Sequence, residues 1–525
     1  MSPSFEQRFQ ELVRNGDPRL LSRGLVGLEK ESLRVAADGG IAKTPHPRAL
    51  GAALTHPWIT TDYSEALLEL ITPPFDDYRL ALDFLSDLHT FVYRHVDDEL
   101  LWATSMPCVL AGEEQVPIAQ YGSSNAGRMK HVYRVGLGHR YGRVMQVIAG
   151  VHFNYSLNAD FWPMYQAVRG DPDRDPRRFR DSHYMALIRN LQRVGWLIPY
   201  LFGASPAVCK SFFVDRVSRL ESFDANTFYE PYATSLRMGD IGYQNRREQG
   251  VGIKACYDTL GAYINSLEQA IATPAAPWQE IGVKRDGEYR QLNANILQIE
   301  NEYYSSVRPK QLLDGLEKPV LALRRRGIRY LELRSLDVNA YHPVGVDDTQ
   351  IRFIEALLLY CLLLDSPSIG LQERWEIDRN LEAVAHRGRD PAFHLIRAGR
   401  GLSVREWGDE ILDGVQAICE QLDAAQPGAG YQAALAAQRA KVHDPEATPS
   451  ATMLRDMRER GEGFYGFARR LSGDHAQYFR QRGLPPEREA ALTREAQASL
   501  ARQAELEADD SQDFDSFLGA YFAQR

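Results

Sequence analysis

One stretch near the beginning of the chain decides the fold, and it runs Leu25-Val26-Gly27-Leu28-Glu29-Lys30-Glu31-Ser32-Leu33-Arg34-Val35. Successive side chains of a β-strand point to opposite faces, so Glu29 and Glu31 share one face about 7 Å apart. Two carboxylates on such an apolar-flanked face repel each other unless a cation lies between them, and hard divalent ions bind carboxylate oxygens. Taken alone, the stretch also fits an edge strand whose glutamates are solvated.

A second stretch, from Thr60 to Pro73, places acids next to an apolar run. Glu69 is embedded in Leu67–Ile71, where an ionised carboxylate is costly unless it is paired or bound to a metal. We therefore expect Asp62 and Glu69 to be further acidic ligands. Glu65 lies between them and is expected to be a solvent-facing helix residue.

The clearest alternation in the chain covers residues 146–156 and predicts a strand. One face of this strand is apolar, and the other carries His152 together with Gln146 and Asn154. A polar face centred on one histidine suits the wall of a cavity. A solvent-facing strand with an incidental histidine fits the pattern about equally well.

A further predicted strand, residues 329–337, places Glu332 and Arg334 on one face. A carboxylate next to an arginine is often a simple ion pair. The same pair can also hold a metal beside an anionic group, because guanidinium binds carboxylate or phosphate through two parallel hydrogen bonds.

The strands that carry these residues occupy two blocks of the chain, separated by helical segments. Phe5, Phe9 and Leu12 recur at helical spacing and predict an opening helix. Helices are also predicted around residues 184–202, from about residue 348 onward, and in the charged tail at 486–510. This order favours one catalytic α+β body over residues 1–525, with a strand-rich core at about 20–345 and a mostly helical part at about 346–525.

Composition excludes several classes of protein. The 525 residues include 61 Lys and Arg against 70 Asp and Glu, and the net charge of −9 does not suit a general nucleic-acid binder. The longest apolar run, Ala356 to Leu364, is shorter than the roughly 20 residues of a membrane-spanning helix, so we expect a buried helix and no membrane association. No signal peptide is visible and the five cysteines lack metal or disulfide spacing, so a cytoplasmic protein with reduced thiols is expected.

Two glycine-containing segments differ in their value as nucleotide-binding signals. Residues 121–130 are small, polar and basic, and such a loop can offer backbone N–H groups and cations to phosphates. Residues 461–466 match GxGxxG, but a charged helical stretch precedes them where dinucleotide binding requires a strand. No P-loop sequence GxxxxGK[ST] occurs in the chain.

Several of these segments belong to a longer series of ordered blocks. The series includes Gly27 to Arg34, Ile59 to Asp62, Leu67 to Glu69, Tyr121 to Leu137, Gly150 to Asn154, Pro231 to Arg237, Leu297 to Glu302 and Glu332 to Asp337. It resembles the bacterial type of the glutamate–cysteine ligase family, which catalyses the first step of glutathione synthesis. Beyond about residue 345 the resemblance weakens.

The resemblance implies a glutamine-synthetase-like α+β fold, in which a curved antiparallel sheet lines a funnel for ATP and divalent metals. It implies the metal ligands Glu29, Glu31, Asp62, Glu69, His152 and Glu332. It makes Arg334 the catalytic residue that contacts the transferred phosphoryl group and the glutamate. The implied cysteine-site residues are Tyr63, Tyr133, Gln146, Arg237, Tyr243 and Tyr304, and the implied nucleotide contact is Arg134.

The implied reaction is the ATP-dependent ligation of the L-glutamate γ-carboxylate to the L-cysteine amine through a γ-glutamyl phosphate. Six ligands exceed what one Mg²⁺ uses, so we expect two or three Mg²⁺ ions, with Mn²⁺ as the alternative ion. The expected partners are L-glutamate, L-cysteine and ATP, with glutathione as a feedback inhibitor. The chain is expected to be a monomer.

Two other functions fit clustered carboxylates with a histidine. A metal-dependent phosphoester hydrolase would act without amino acids, but these acids are spread over about 300 residues without compact His/Asp motifs. A sensor would bind ATP and Mg²⁺ without turnover, and it would need fewer ligands.

Overall fold

An antiparallel sheet of seven strands lies at the centre of the computed structural model, which describes residues 3–213, 218–242 and 252–525. Three smaller sheets of two or three strands accompany it in these ranges. In chain order the strands are β1 (Leu25–Val35), β2 (Ile59–Thr61), β3 (Leu67–Ile71), β4 (Leu100–Leu101), β5 (Val151–Ser156), β6 (Ala207–Cys209), β7 (Glu221–Ser222), β8 (Thr227–Tyr229), β9 (Lys284–Arg285), β10 (Glu288–Tyr289), β11 (Val307–Lys310), β12 (Tyr330–Leu336), β13 (His394–Arg397) and β14 (Arg400–Ser403).

Helices surround the sheets and make up most of the chain beyond residue 347. They are α1 (Pro3–Asn15), α2 (Tyr78–Tyr93), α3 (Asn125–Tyr141), α4 (Phe161–Val168), α5 (Pro176–Val194), α6 (Leu197–Phe202), α7 (Leu260–Ala272), α8 (Ala276–Ile281), α9 (Pro319–Arg326), α10 (Asp348–Leu363), α11 (Leu371–Arg387), α12 (Val404–Ala425), α13 (Tyr431–His443), α14 (Pro449–Arg460), α15 (Phe464–Gln481), α16 (Pro486–Asp509) and α17 (Phe514–Ala523). The predicted opening helix, the helices around 184–202 and the helical tail are confirmed.

The strand order of the central sheet is β11-β12-β5-β1-β3-β2, with β4 beside the end of β1. Residues directly opposite each other on paired strands point to the same face. The register pairs Glu29 with His152 and Glu31 with Glu69. It also pairs Glu332 with the residue two positions after His152. One face of the sheet therefore collects polar residues from four separate segments.

The opposite face of the sheet packs into the protein core. Leu28, Leu70 and Phe153 lie on this face and are fully buried. Helix α2 covers it, since Lys30 Nζ lies 3.3 Å from His89 Nε2. The predicted helix at the longest apolar run is α10, whose apolar residues are buried, and no described helix is both long enough and apolar enough to span a membrane.

The strand predicted for residues 146–156 is shorter than expected. A single 3₁₀ turn occupies Val144–Val147, and the strand begins only at Val151. Tertiary hydrogen bonds explain the difference, because Ala149 N donates to Ser105 O and Gly150 N donates to Glu31 Oε2 at 2.6 Å. These amides are therefore committed to a neighbouring loop and a side chain.

The prediction for Glu65 is wrong, because this residue is buried and lies in a turn before β3. Its carboxylate accepts hydrogen bonds from His46 N and Gln120 N, both at 2.8 Å. Backbone donors from two loops thus replace the solvent that was expected to hydrate it.

The prediction of reduced thiols is wrong for one pair of cysteines. Cys108 and Cys209, separated by 101 residues in sequence, form a disulfide. No spacing signal marks the pair, because the two residues come together only through the tertiary fold. Of the other three cysteines, Cys256 is exposed, while Cys361 and Cys419 are buried free thiols.

Candidate active site

The centre of the polar face is a histidine surrounded by carboxylates. His152 Nδ1 lies 3.0 Å from Glu29 Oε2 and 3.9 Å from Glu332 Oε1. Its Nε2 lies 3.6 Å from Glu31 Oε1. One potential ligand atom from each of Glu29, His152 and Glu332 can be chosen so that all three lie within 4.8 Å of one another. Three strands, β1, β5 and β12, supply this group.

Neighbouring basic side chains favour the ionised form of two of the carboxylates. Burial opposes ionisation of Glu332, but Lys310 Nζ at 3.3 Å and Arg334 at 3.4 Å hold the pKa of Glu332 well below its usual value. Burial likewise opposes ionisation of Glu29, and a hydrogen bond with His152 holds the pKa of Glu29 below its usual value. Both residues are thus anionic at neutral pH.

Burial and neighbouring acids oppose the ionisation of the two remaining glutamates of the face, Glu31 and Glu69. Burial raises the pKa of Glu69 well above its usual value, and the charges of Glu29, Asp62 and Glu31 add to this effect. Burial also raises the pKa of Glu31, to which Asp62 contributes although His152 opposes it. Asp62 thus acts electrostatically on both glutamates, as expected of a neighbour of the cluster.

The donor set fits divalent cations. Carboxylate oxygens and an imidazole converge from several strands, and a divalent ion would relieve the repulsion among them. Glu332 Oε2 is buried and has no hydrogen-bond partner among the described residues, so one lone-pair-bearing oxygen is left for a ligand. Of the six predicted metal ligands, Glu29, Glu31 and Glu332 lie within 3.9 Å of His152, Glu69 lies opposite Glu31 in the register, and Asp62 acts electrostatically on both Glu31 and Glu69.

Arg334 lies within this cluster rather than beside it. Burial opposes its charge, but Glu332, Glu31, Glu29 and Asp62 together raise the pKa of Arg334 above its usual value. A permanently charged guanidinium among carboxylates suits an anionic group that arrives together with cations.

Arg237 is the predicted cysteine-site residue that the structure ties most closely to the cluster. Its NH2 donates to the carbonyl oxygen of Arg334 at 2.9 Å, and its NH1 lies 3.6 Å from Asp337 Oδ1. A side chain at Gly150 would collide with its guanidinium, which places that group next to the loop that Glu31 binds. Tyr304 lies close to Arg237, since its hydroxyl lies 3.5 Å from the sulfur of Met238, which also contacts Arg237 NH1.

The remaining residues of the predicted cysteine site differ in burial and in their polar partners. Tyr133 is half-buried on α3, and its carbonyl accepts from Gln298 Nε2 at 3.2 Å. Gln146 is buried, and its Nε2 has no partner among the described residues. Tyr63 is 1% exposed and packs near Gly138, so it offers a substrate little surface. Tyr243 lies outside the described residues.

Residues 121–130 bind parts of the chain that sequence reasoning did not anticipate. Ser123 N and Asn125 N donate to the carboxylates of Glu507 and Asp510. These two amides of the loop are therefore taken by the C-terminal segment. What residues 121–130 offer a phosphate is therefore mainly their basic side chains on α3, Arg128 and Lys130.

Arg134 stacks on Tyr121, with Cζ 4.7 Å from the ring centroid, and its Nε donates to Asp62 O. Lys130 lies one helical turn earlier over the same ring, at 5.3 Å. Sequence reasoning missed Lys130 as a companion of Arg134, although the spacing of four residues on a helix could have revealed it. It also missed Lys310, which only the pairing of β11 with β12 brings to Glu332.

Comparisons with known proteins identify the family of the chain. A protein-family model described as glutamate-cysteine ligase matches residues 9–384. The glutamate–cysteine ligase of Azotobacter vinelandii is 49% identical over 525 residues, covering 100% of this chain and 99% of that protein. The enzyme of the same name from Pseudomonas aeruginosa PAO1 is 49% identical over 523 residues, covering 100% and 98%.

Solved structures agree with the sequence comparisons. A crystal structure of glutamate–cysteine ligase from Francisella tularensis in complex with AMP has a TM-score of 0.88 and 36% identity, covering 95% of this chain and 97% of that one. A bifunctional glutathione synthetase from Pasteurella multocida has a TM-score of 0.71 and 25% identity, covering 91% of this chain and 55% of that one. The predicted glutamine-synthetase-like α+β fold is confirmed, and the chain belongs to the glutamate–cysteine ligase family.

Proposed function

We propose that the carboxylate cluster and Arg334 form the site at which this enzyme couples ATP to the ligation of L-glutamate and L-cysteine. The products are γ-glutamylcysteine, ADP and phosphate, and the reaction is the first step of glutathione biosynthesis. One observation carries the assignment of the site: acids from β1, β3 and β12 surround His152 on one sheet face, with a half-buried arginine among them.

The chemistry explains why such a site is needed. A carboxylate is a poor acyl donor because its leaving group would be oxide, whereas a γ-glutamyl phosphate has a good leaving group. Transfer of the phosphoryl group spreads negative charge over three oxygens, and fixed positive groups stabilise it electrostatically. Arg334 supplies one such group, held among Glu332, Glu31 and Glu29 with its charge secured by them.

We propose that Glu29, Glu31, Asp62, Glu69, His152 and Glu332 hold two or three Mg²⁺ ions, with Mn²⁺ as the alternative. The bound ions would neutralise phosphate charge and orient the nucleotide. The unpartnered Glu332 Oε2 and the raised pKa of Glu69 support this set. Arg134 is proposed to contact the nucleotide phosphates.

We propose that the acceptor amino acid binds at Arg237 and its neighbours. A guanidinium is the natural partner of the cysteine carboxylate, and Arg237 is held beside the cluster by its hydrogen bond to Arg334 O. The wall would be completed by Tyr63, Tyr133, Gln146, Tyr243 and Tyr304.

Four further expectations stay predictions. Residues 1–525 are proposed to act as one catalytic body, with the strand-rich core at about 20–345 and the helical part at about 346–525. The chain is proposed to be a monomer in the cytoplasm. Glutathione, which contains the γ-glutamylcysteine product, is proposed to compete at the same site.

A phosphate-release assay tests the proposal. With ATP and Mg²⁺ present, release should depend on both glutamate and an amine, and cysteine should be the best acceptor in a panel of small amino acids. Arg334→Lys should lower kcat at least about 100-fold, because a lysine cannot reproduce the two parallel hydrogen bonds of guanidinium. Arg329→Lys, an exposed position just before β12, is the matched control and should stay within about twofold.

The two alternatives give different results in the same assay. A phosphoester hydrolase would release phosphate without amino acids, and a sensor would bind ATP without release. Release that is equally fast without glutamate and cysteine would refute the ligase.

A further inference from the structure

The C-terminal end of α11 holds the loop that carries Arg237. Thr234 N and Ser235 N both donate to Ala385 O, at 2.9 and 3.2 Å. The hydroxyl of Thr234 donates to Val384 O at 2.9 Å. These bonds hold the centre of the loop, between β8 and the short 3₁₀ turn at Leu236–Met238, and further backbone bonds join Glu230 N to Pro206 O and Leu236 N to Ser205 O.

His386 joins the two ends of this loop. Its Nδ1 lies 2.8 Å from Glu230 Oε2, before the central bonds, and its Nε2 lies 3.1 Å from Asp240 Oδ1, after Arg237. Burial opposes protonation of His386, but the two carboxylates raise its pKa to about 10. The ring is therefore an imidazolium at neutral pH, with one charge-assisted hydrogen bond to each end of the loop.

The position of the loop determines the position of Arg237. This arginine is 9% exposed and makes its polar contacts with Arg334 O, Asp337 and Met238, which leaves little freedom for its guanidinium. A shift of the segment 236–240 would therefore move the guanidinium relative to β12 and the carboxylate cluster.

We propose that His386 is a positioning residue for the acceptor site: by clamping Glu230 and Asp240 it sets the place at which Arg237 receives the carboxylate of the acceptor amino acid. The inference rests on the proposed function of Arg237. His386 lies just beyond residues 9–384, where the family model matches, and it would act without touching the substrate.

Steady-state kinetics of three full-length variants test this role. His386→Ala should raise the KM for cysteine about tenfold, with the KM values for glutamate and ATP and the kcat within about threefold of wild type. His386→Gln keeps the size and hydrogen-bonding capacity without the charge, so it should give an intermediate KM. His386→Lys restores the charge and should recover part of the loss.

A matched control comes from another histidine–carboxylate pair. His443 Nε2 lies 2.8 Å from Asp409 Oδ1 at the surface, on α13. His443→Ala removes the same type of contact and should leave all three KM values unchanged. Melting curves of every variant separate loss of fold from loss of position, and should His386→Ala fail to fold, His386→Gln carries the comparison.

A double-mutant cycle shows whether His386 acts through Arg237. If it does, His386→Ala should change the cysteine KM by less than about twofold in the Arg237→Ala background, so that the two effects are not additive. Equal increases in all three KM values, or additive effects in the cycle, would overturn the inference. Wild-type enzyme without glutamate- and amine-dependent phosphate release would instead refute the proposed function, which is a separate outcome.

Discussion

The substitution Glu69→Gln should stabilise the protein without metal and inactivate it with metal. Glu31 and Glu69 are directly opposite on β1 and β3, a geometry that sets Cβ atoms about 5 Å apart. Two unit charges at about 5 Å and an effective dielectric constant of about 20 repel each other by about 3 kcal/mol. Removing one charge should therefore raise the free energy of unfolding of metal-free enzyme by up to about 3 kcal/mol. Protonation of Glu69, favoured by its raised pKa, reduces the gain at lower pH.

Mg²⁺ should reverse the order of stabilities. An ion that binds only the folded state at 100 times its Kd adds about 2.7 kcal/mol per site. The wild type should show such a gain, and Glu69→Gln should lose much of it together with detectable phosphate release. The measurement is urea unfolding at pH 8 with Mg²⁺ or with a chelator.

A matched control is Glu355→Gln. Glu355 is also a buried glutamate, with a pKa raised by burial to about 7, but its partner is the Tyr431 hydroxyl at 2.7 Å. Its substitution should leave the Mg²⁺-dependent gain intact. If metal-free Glu69→Gln is less stable than wild type and retains the whole Mg²⁺ gain, Glu69 does not belong to a shared cation site and the electrostatic reasoning is refuted.

Three further outcomes are expected. Gly150→Ala should raise the cysteine KM about tenfold in steady-state assays while the melting temperature changes by less than about 2 °C, because the added Cβ would displace only the end of one long side chain, the guanidinium of Arg237. His386→Ala should destabilise the protein most below about pH 6.5 and progressively less toward pH 10 in urea unfolding, because a histidine with a raised folded-state pKa loses its stabilising charge as it deprotonates. Cys209→Ala should lower the free energy of unfolding by about 2–4 kcal/mol under non-reducing conditions and by much less with reductant, because the bond to Cys108 closes a long loop.

Local patterns were sufficient for those parts of the site that one strand determines. The two-residue period places Glu29 with Glu31 and Glu332 with Arg334, and both pairs lie on one sheet face. No local pattern brings β12 next to β5, about 175 residues earlier in sequence, so the convergence of the cluster came from the family resemblance. Lys310 was missed for the same reason, because only the pairing of β11 with β12 brings it to Glu332, and a single sequence does not reveal which strands pair.

The wrong predictions share one physical cause. Each treated a residue as if its immediate neighbours decided its environment. Glu65 is buried because backbone amides from two distant loops bind it, and the disulfide of Cys108 forms with a residue about 100 positions away. Residues 149–150 leave the strand because Ser105 and Glu31 take their hydrogen-bonding groups.

The charges of the cluster divide it into two halves that respond differently to a cation. Glu332 and Glu29 remain ionised because Lys310, Arg334 and His152 lie next to them, so their oxygens can bind a ligand without first losing a proton. Burial raises the pKa values of Glu31 and Glu69, and neighbouring acids add to this effect, Asp62 for Glu31 and Glu29, Asp62 and Glu31 for Glu69. A divalent ion binding between these two glutamates would lower both pKa values, and the charge that destabilises this half of the empty cluster would then stabilise the loaded one. The same sheet face can therefore be costly to fold without metal and well suited to hold phosphate charge with it.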